Sequence, residues 1–121
     1  MSHTILAVDD SASMRQMVSH VLKGAGYRVV EAGDGEEALE VARATRIDAV
    51  ITDHNMPRMD GLCLVKTLRA LEDYADTPIM LLTTESSAEM KRRGREAGAT
   101  GWMVKPFDPE RLVEMCRRIL P

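Results

Sequence analysis

Five times along this chain a short apolar run gives way to a segment whose apolar residues recur at helical spacing, and no other feature restricts the fold so strongly. Thr4-Ile5-Leu6-Ala7-Val8 is followed by Met14, Met17, Val18, Val21 and Leu22, with Ser11 or Ser13 placed to cap a helix and Gly24 or Gly26 to end it. Arg28-Val29-Val30-Glu31 is the second strand, and Gly33-Asp34-Gly35 turns into a helix from Glu36 to Thr45 with Ala38, Leu39 and Ala42 inward. Ala49-Val50-Ile51-Thr52 is the third; after the loop at Pro57, Asp60 caps a helix with a stripe of Leu64, Val65, Leu68 and Leu71. Ile79-Met80-Leu81-Leu82-Thr83 is apolar until its last residue, as expected of a central parallel strand covered on both faces. Ser86 or Ser87 opens the next helix, Ala88 to Ala97, and Gly98 closes it. Gly101-Trp102-Met103-Val104 is the fifth strand, and Asp108-Pro109 opens a last helix with Leu112, Val113, Cys116, Ile119 and Leu120 on one face.

Parallel neighbours need crossover connections, and these are right-handed, so the alternation predicts an open parallel α/β sheet with helices on both faces. At 121 residues the chain reads as one domain over residues 1–121, with no repeat or linker left over. Hydrophobic residues at 45% and charged residues at 29% exclude wholesale disorder. There is no 18-residue apolar run, and Met1-Ser2-His3-Thr4 lacks the basic start of a signal peptide, so no membrane span and a cytoplasmic location are expected. A net charge of −3 argues against direct nucleic-acid binding. Cys63 and Cys116 show no CxxC spacing and read as buried thiols, not as metal ligands or a disulfide. The helix from Ala88 to Ala97 stands apart, with Lys91, Arg92, Arg93 and Arg95 crowding it and Met90 its only large apolar residue. It has little to bury and is expected to be mobile.

In open parallel sheets, ligands bind outside the carboxyl ends of the strands. Those ends carry Asp9 and Asp10 after the first strand, Asp53 after the third, Thr83 at the end of the fourth and Lys105 after the fifth. Three carboxylates on one rim repel unless a cation sits among them, and magnesium favours such hard oxygen ligands together with a phosphate. Singly, Asp9 and Asp10 read as helix caps and Asp53 as a solvated strand end; it is their convergence with Thr83 and Lys105 that marks a site. Asp53 is the candidate phosphoryl acceptor. His54, next to it, is sent to the other side by strand alternation and is not expected to act as a base. Gly33-Asp34-Gly35-Glu36-Glu37-Ala38 fits a GxGxxA dinucleotide fingerprint. Three carboxylates there would meet a pyrophosphate that needs bare amides, so an acidic helix start is the better reading.

Val8-Asp9-Asp10-Ser11, Asp53-His54-Asn55-Met56-Pro57-Arg58-Met59-Asp60-Gly61, Leu82-Thr83-Thr84-Glu85 and Val104-Lys105-Pro106-Phe107 span the chain at consistent spacing. With these pieces the chain resembles the receiver domain of two-component response regulators, and within that family the single-domain chemotaxis regulators. The resemblance implies a flavodoxin-like doubly wound five-stranded parallel sheet, order 2-1-3-4-5, with five helices. It implies that a sensor histidine kinase donates a phosphoryl group to Asp53, with Mg2+ held by Asp10, Asp53, the backbone carbonyl of Asn55 and, through water, Asp9. Lys105 would pair with Asp53 and then with a phosphate oxygen, and Thr83 would give its hydroxyl to the phosphate. Trp102 stands where the family carries an aromatic that turns inward in the active state; a core or surface role is the alternative. A cis Lys105–Pro106 bond is also implied, although most X-Pro bonds are trans.

The same resemblance assigns Asn55, Thr84 and Glu85 to tuning the lifetime of the acyl phosphate, Thr84 being bulkier than the alanine or glycine often found there. It assigns Lys91, Arg95 and Trp102 to a surface read by an output partner, the flagellar motor switch for a chemotaxis regulator. A solvated helix face is the other reading of those charges. On this view the chain is a monomer and no enzyme, acting only on its own Asp53. Two alternatives stand: a receiver belonging to a longer regulator or phosphorelay, and an aspartyl-nucleophile phosphatase. The latter usually carries a second acid two residues after the nucleophile, where this chain has Asn55.

Overall fold

A computed structural model describes residues 3–120. Met1 and Ser2, which belong to the start read above as leaderless, and Pro121 lie outside the described residues. The chain runs β1 (Thr4–Val8), α1 (Ala12–Gly24), β2 (Arg28–Ala32), α2 (Gly35–Ala44), β3 (Ala49–Asp53) and α3 (Gly61–Arg69). A single 3-10 turn (Glu72–Tyr74) precedes β4 (Ile79–Thr83), α4 (Ala88–Ala97), β5 (Gly101–Val104) and α5 (Pro109–Ile119). All neighbouring strands pair in parallel, in the order β2-β1-β3-β4-β5.

Because successive side chains of a strand point to opposite faces, each strand feeds two cores. Leu6, Val8, Val50, Ile79 and Leu81 pack with Ala38, Leu39, Ala42, Leu64, Val65, Leu68, Met90 and Ala97 of α2, α3 and α4. Ile5, Ala7, Ala49, Ile51, Met80 and Leu82 pack on the other face with Val18 and Leu22 of α1 and Leu112 and Cys116 of α5. Every residue of β3 and β4 is buried, which explains the apolar runs Ala49 to Ile51 and Ile79 to Leu82. A fully buried Leu, Ile or Val contributes roughly 1.5–3 kcal/mol. The sheet is therefore held from both sides.

Helix starts follow local hydrogen bonding. The side chains of Ser11, Asp34, Asp60, Ser87 and Asp108 accept backbone N–H bonds from Met14, Glu37, Cys63, Met90 and Glu110, satisfying donors that the first helical turn leaves free. Ser11 and Ser87 are thus the caps among the serine pairs. Helix α4 buries only Met90, Gly94 and Ala97, the thin apolar face its composition implies.

Two features differ from the sequence reading. Cys116 is buried, and burial pushes its thiol up to about 11, but Cys63 is exposed. Helix α3 buries Gly61, Leu62, Leu64, Val65 and Leu68, an arc that leaves position 63 on the solvent side. The 3-10 turn was not expected either; it buries Tyr74, whose hydroxyl lies 2.5 Å from the Ala42 carbonyl oxygen and 3.0 Å from that of Thr45. Among the described residues, no helix is long and apolar enough to cross a membrane.

Candidate functional site

Parallel register carries the strand ends to a common rim. Val8 lies beside Thr52, Asp53 beside Leu82, and Thr83 beside Val104, so the residues at or after these positions meet above the sheet. Asp53 is the last residue of β3 and only 2% exposed. Lys105 follows β5; its backbone N–H donates to the Thr83 carbonyl at 2.8 Å, and its ammonium forms an ion pair with Asp53 Oδ1. The same ammonium is 3.8 Å from Asp9 Oδ2. The Lys105–Pro106 peptide is cis.

Asp9 is buried, and its two oxygens are treated differently. Oδ1 accepts the Ser11 N–H at 2.9 Å, whereas Oδ2 is buried without a hydrogen-bond partner among the described residues. Burial raises the Asp9 pKa above the ordinary carboxylate value; the Ser11 N–H opposes this, Asp53 adds to it, Lys105 opposes it, and Asp10 adds a further push upward. Asp10 is exposed at the mouth. One oxygen each from Asp9, Asp10 and Asp53 lie within 4.8 Å of one another. A buried carboxylate oxygen without a donor is costly, and a hard divalent cation is the partner that three clustered carboxylates suit. The residues present fit magnesium.

Two loops border the cluster. Thr83 is buried, and its hydroxyl oxygen accepts the Glu85 N–H at 3.0 Å. Asn55 and Thr84, both exposed, reach across between loops, Asn55 Nδ2 donating to Thr84 Oγ1 at 3.2 Å. The loop after β3 passes through Arg58 at φ 67, a left-handed conformation uncommon outside glycine. Trp102 on β5 is half-buried against the core shared with Met90 and Ala97, and its Cε3 lies 3.8 Å from where a Cβ on Gly94 would stand. Lys91 and Arg95 are exposed on α4, while Arg92 pairs along the helix with Glu89 and Glu96. His54 is buried, and its Nδ1 has no partner among the described residues.

The glycine turn before α2 is no phosphate cradle. Asp34 already takes the Glu37 amide, and Met59 packs so closely on Gly35 that a Cβ there would stand 2.5 Å from its sulfur. A cleft of about 690 Å³ opens at the far end of the sheet, between Ala42–Asp48 and Glu72–Thr77, and shares no residue with the carboxylate cluster. Two residues that sequence reasoning did not single out matter at the rim. Gly61 sits so close to the end of β3 that a Cβ would come within 2.7 Å of the Asp53 carbonyl oxygen. Arg15 donates to the Asp9 carbonyl at 2.7 Å. The only signal for Arg15 was a cation in the helix that follows the acidic pair.

Residues 5–117 match the response regulator receiver domain family. The chain is 38% identical over 116 residues to chemotaxis protein CheY-3 of Vibrio cholerae, covering 95% of this chain and 89% of that protein. It is 41% identical over 116 residues to response regulator MprA of Mycobacterium leprae, covering 96% of this chain but only 50% of MprA. The solved structure of Vibrio cholerae chemotaxis protein CheY4 superimposes with a TM-score of 0.96 at 52% identity, covering 99% of this chain and 100% of that one. A family match over nearly the whole chain, relatives of this similarity and an acidic rim paired with a lysine from another strand agree: the chain belongs to the receiver domain family of two-component response regulators, and is CheY-like within it.

Proposed function

We propose that Asp53 accepts a phosphoryl group from a phosphohistidine on a sensor kinase of the CheA type and that the acyl phosphate switches affinity for an output partner. The observation that carries this reading is the cluster of Asp9, Asp10 and Asp53 oxygens with the Lys105 ammonium paired to Asp53. A carboxylate oxygen of Asp53 attacks phosphorus, the phosphorus–nitrogen bond to the donor histidine breaks, and the imidazole leaves with the electron pair and a proton from water. Such a reaction asks the protein for positioning and charge neutralisation more than for covalent chemistry. Asp9, Asp10, Asp53 and the Asn55 carbonyl would hold Mg2+, which when bound supplies positive charge for the phosphoryl oxygens. Lys105 releases Asp53 and takes a phosphate oxygen; a compact ammonium on a flexible stem suits this exchange of partners. Asn55, Thr84 and Glu85 border the phosphate and set its lifetime.

The switch is an equilibrium between two arrangements, biased by contacts that only the phosphoryl group offers. Thr83 leaves the Glu85 N–H to donate to phosphate, and Trp102 repacks beside α4. Lys91 and Arg95, with Trp102, form the surface that the partner reads. Similarity to chemotaxis proteins supports reading that partner as the flagellar motor switch, and we take the chain to be a cytoplasmic monomer that catalyses nothing but its own phosphorylation and dephosphorylation. The match to half of MprA favours a second reading, in which the same chemistry drives a longer regulator. Phosphotransfer from a phosphorylated kinase fragment tests the core of the proposal. Wild type should take up label only with Mg2+, and Asp53→Asn should take up none. Labelling of Asp53→Asn at the wild-type rate, or repeated turnover of an external phosphomonoester, would overturn it. A pull-down with the phosphorylated form then separates the two outputs.

A further inference from the structure

We propose that Arg15 is a positioning residue for the metal site: it locks the peptide between Asp9 and Asp10 so that both carboxylates face Asp53. This rests on the Mg2+ reading above. Strand β1 ends at Val8, yet the Asp9 N–H still bonds the Ala32 carbonyl at 3.2 Å, extending the ladder to β2 by one residue. Strand β2 ends at Ala32 and the chain bends at Gly33 and Asp34, so on that side the Asp9 carbonyl has no further strand residue to pair with among the described residues. Arg15 supplies the missing donor from α1, with Nη1 2.7 Å from that carbonyl oxygen. Its Nε donates to Glu31 Oε1 at 3.1 Å, which ties the guanidinium to the end of β2. A Cβ on Gly33 would stand 3.4 Å from Nη1, so the guanidinium also lies close against the turn after β2.

The consequence falls on Asp10. Asp9 has its own tether, the Ser11 N–H on Oδ1, but no side-chain hydrogen bond holds the exposed Asp10 carboxylate among the described residues. Its direction is therefore inherited from the peptide that precedes it. Rotating that peptide would break the Arg15 bond and swing Asp10 away from the cluster. A planar guanidinium presents separate nitrogens in a fixed fork to the Asp9 carbonyl and Glu31, whereas a lysine offers all its donors from one nitrogen on a flexible stem. Lysine is thus an incomplete substitute.

Mg2+ affinity, measured by isothermal titration calorimetry on the full chain with Arg15→Ala, Arg15→Lys, Glu31→Ala and Arg15→Ala/Glu31→Ala, tests the proposal. Partners that orient metal ligands typically change affinity by about 10–100-fold. Arg15→Ala should weaken binding about tenfold, with Arg15→Lys and Glu31→Ala between it and wild type. The double variant should be no weaker than Arg15→Ala alone, since Glu31 acts through Arg15. Phosphotransfer by Arg15→Ala should recover at saturating Mg2+, a separation that general loss of structure does not produce. Wild-type Mg2+ affinity in a folded Arg15→Ala, even with a lowered melting temperature, would overturn the inference and leave the proposed function standing. Should Arg15→Ala not fold, Glu31→Ala decides by the same criterion. Failure of wild type itself to bind Mg2+ would remove both.

Discussion

The two ends of the sheet are built from similar residues to opposite purposes. At the end away from the carboxylate cluster, Arg69 donates to the carbonyls of Gly98, Tyr74 and Thr77 at 2.9, 2.8 and 2.5 Å. The Tyr74 hydroxyl reaches the Ala42 carbonyl, Thr100 Oγ1 accepts the Ile79 N–H, and Asp48 accepts the Thr4 N–H. Polar groups there answer one another across four segments of chain. At the carboxyl end, Asp9 Oδ2 is buried without a hydrogen bond among the described residues, and the single Lys105 ammonium faces Asp53 and, at 3.8 Å, Asp9 on a rim of three carboxylates. One end answers its polar groups with its own side chains, and the other gathers three carboxylates that a cation would suit. Stability and function are therefore separable here, the functional end carrying a cost that the rest of the fold offsets.

The largest expected effect tests where that separation stops. A Cβ on Gly61 would stand 2.7 Å from the Asp53 carbonyl oxygen, 2.7 Å from His54 Cα and 2.6 Å from Leu81 Cδ1. Two of those atoms are backbone and cannot step aside, so Gly61→Ala should cost about 3 kcal/mol in urea unfolding. It should also slow phosphotransfer in the folded fraction, because the displaced segment carries Asp53. Wild-type stability would show that the close approach is not there. Arg69→Ala comes next. It leaves carbonyls without donors and should cost about 2 kcal/mol. Mg2+ affinity and phosphotransfer per folded molecule should not change, and a parallel loss of either would join the two ends into one system.

The carboxyl end was readable from sequence and the far end was not, for a physical reason. Asp9, Asp53, Thr83 and Lys105 each follow or finish an apolar run, and parallel topology alone brings such positions together. The caps Asp60 and Asp108 and the thin inner face of α4 are equally local. Tyr74 bonds a carbonyl 32 residues away, and Arg69 one 29 residues away, so neither leaves a periodic trace. Arg15 and Gly61 belong with them, since a reach back to a backbone carbonyl and a close backbone approach are properties of packing. Cys63 shows the complementary error, in which a residue type's usual burial was preferred over its place on the helix.

The smallest expected effect is the most direct measure of what the unfinished end costs. Burial raises the Asp9 pKa, so the folded state keeps that proton to higher pH than the unfolded chain does. The stability linked to it is fully present below the ordinary carboxylate value of 3.8 and is lost as pH rises through the raised value. Above that raised value and without metal, the charge on Asp9 is thus a net burden. Asp9→Asn keeps an acceptor for the Ser11 N–H and removes the charge, so it should be about 1 kcal/mol more stable than wild type in EDTA. That advantage should shrink as pH falls toward 4, and Mg2+ should narrow it from the other direction by stabilising wild type more than the variant. Arg69→Ala, measured alongside, should show neither dependence. An Asp9→Asn protein less stable than wild type at pH 7 in EDTA would mean that the Asp9–Lys105 attraction outweighs burial and that the carboxyl end is complete without a cation.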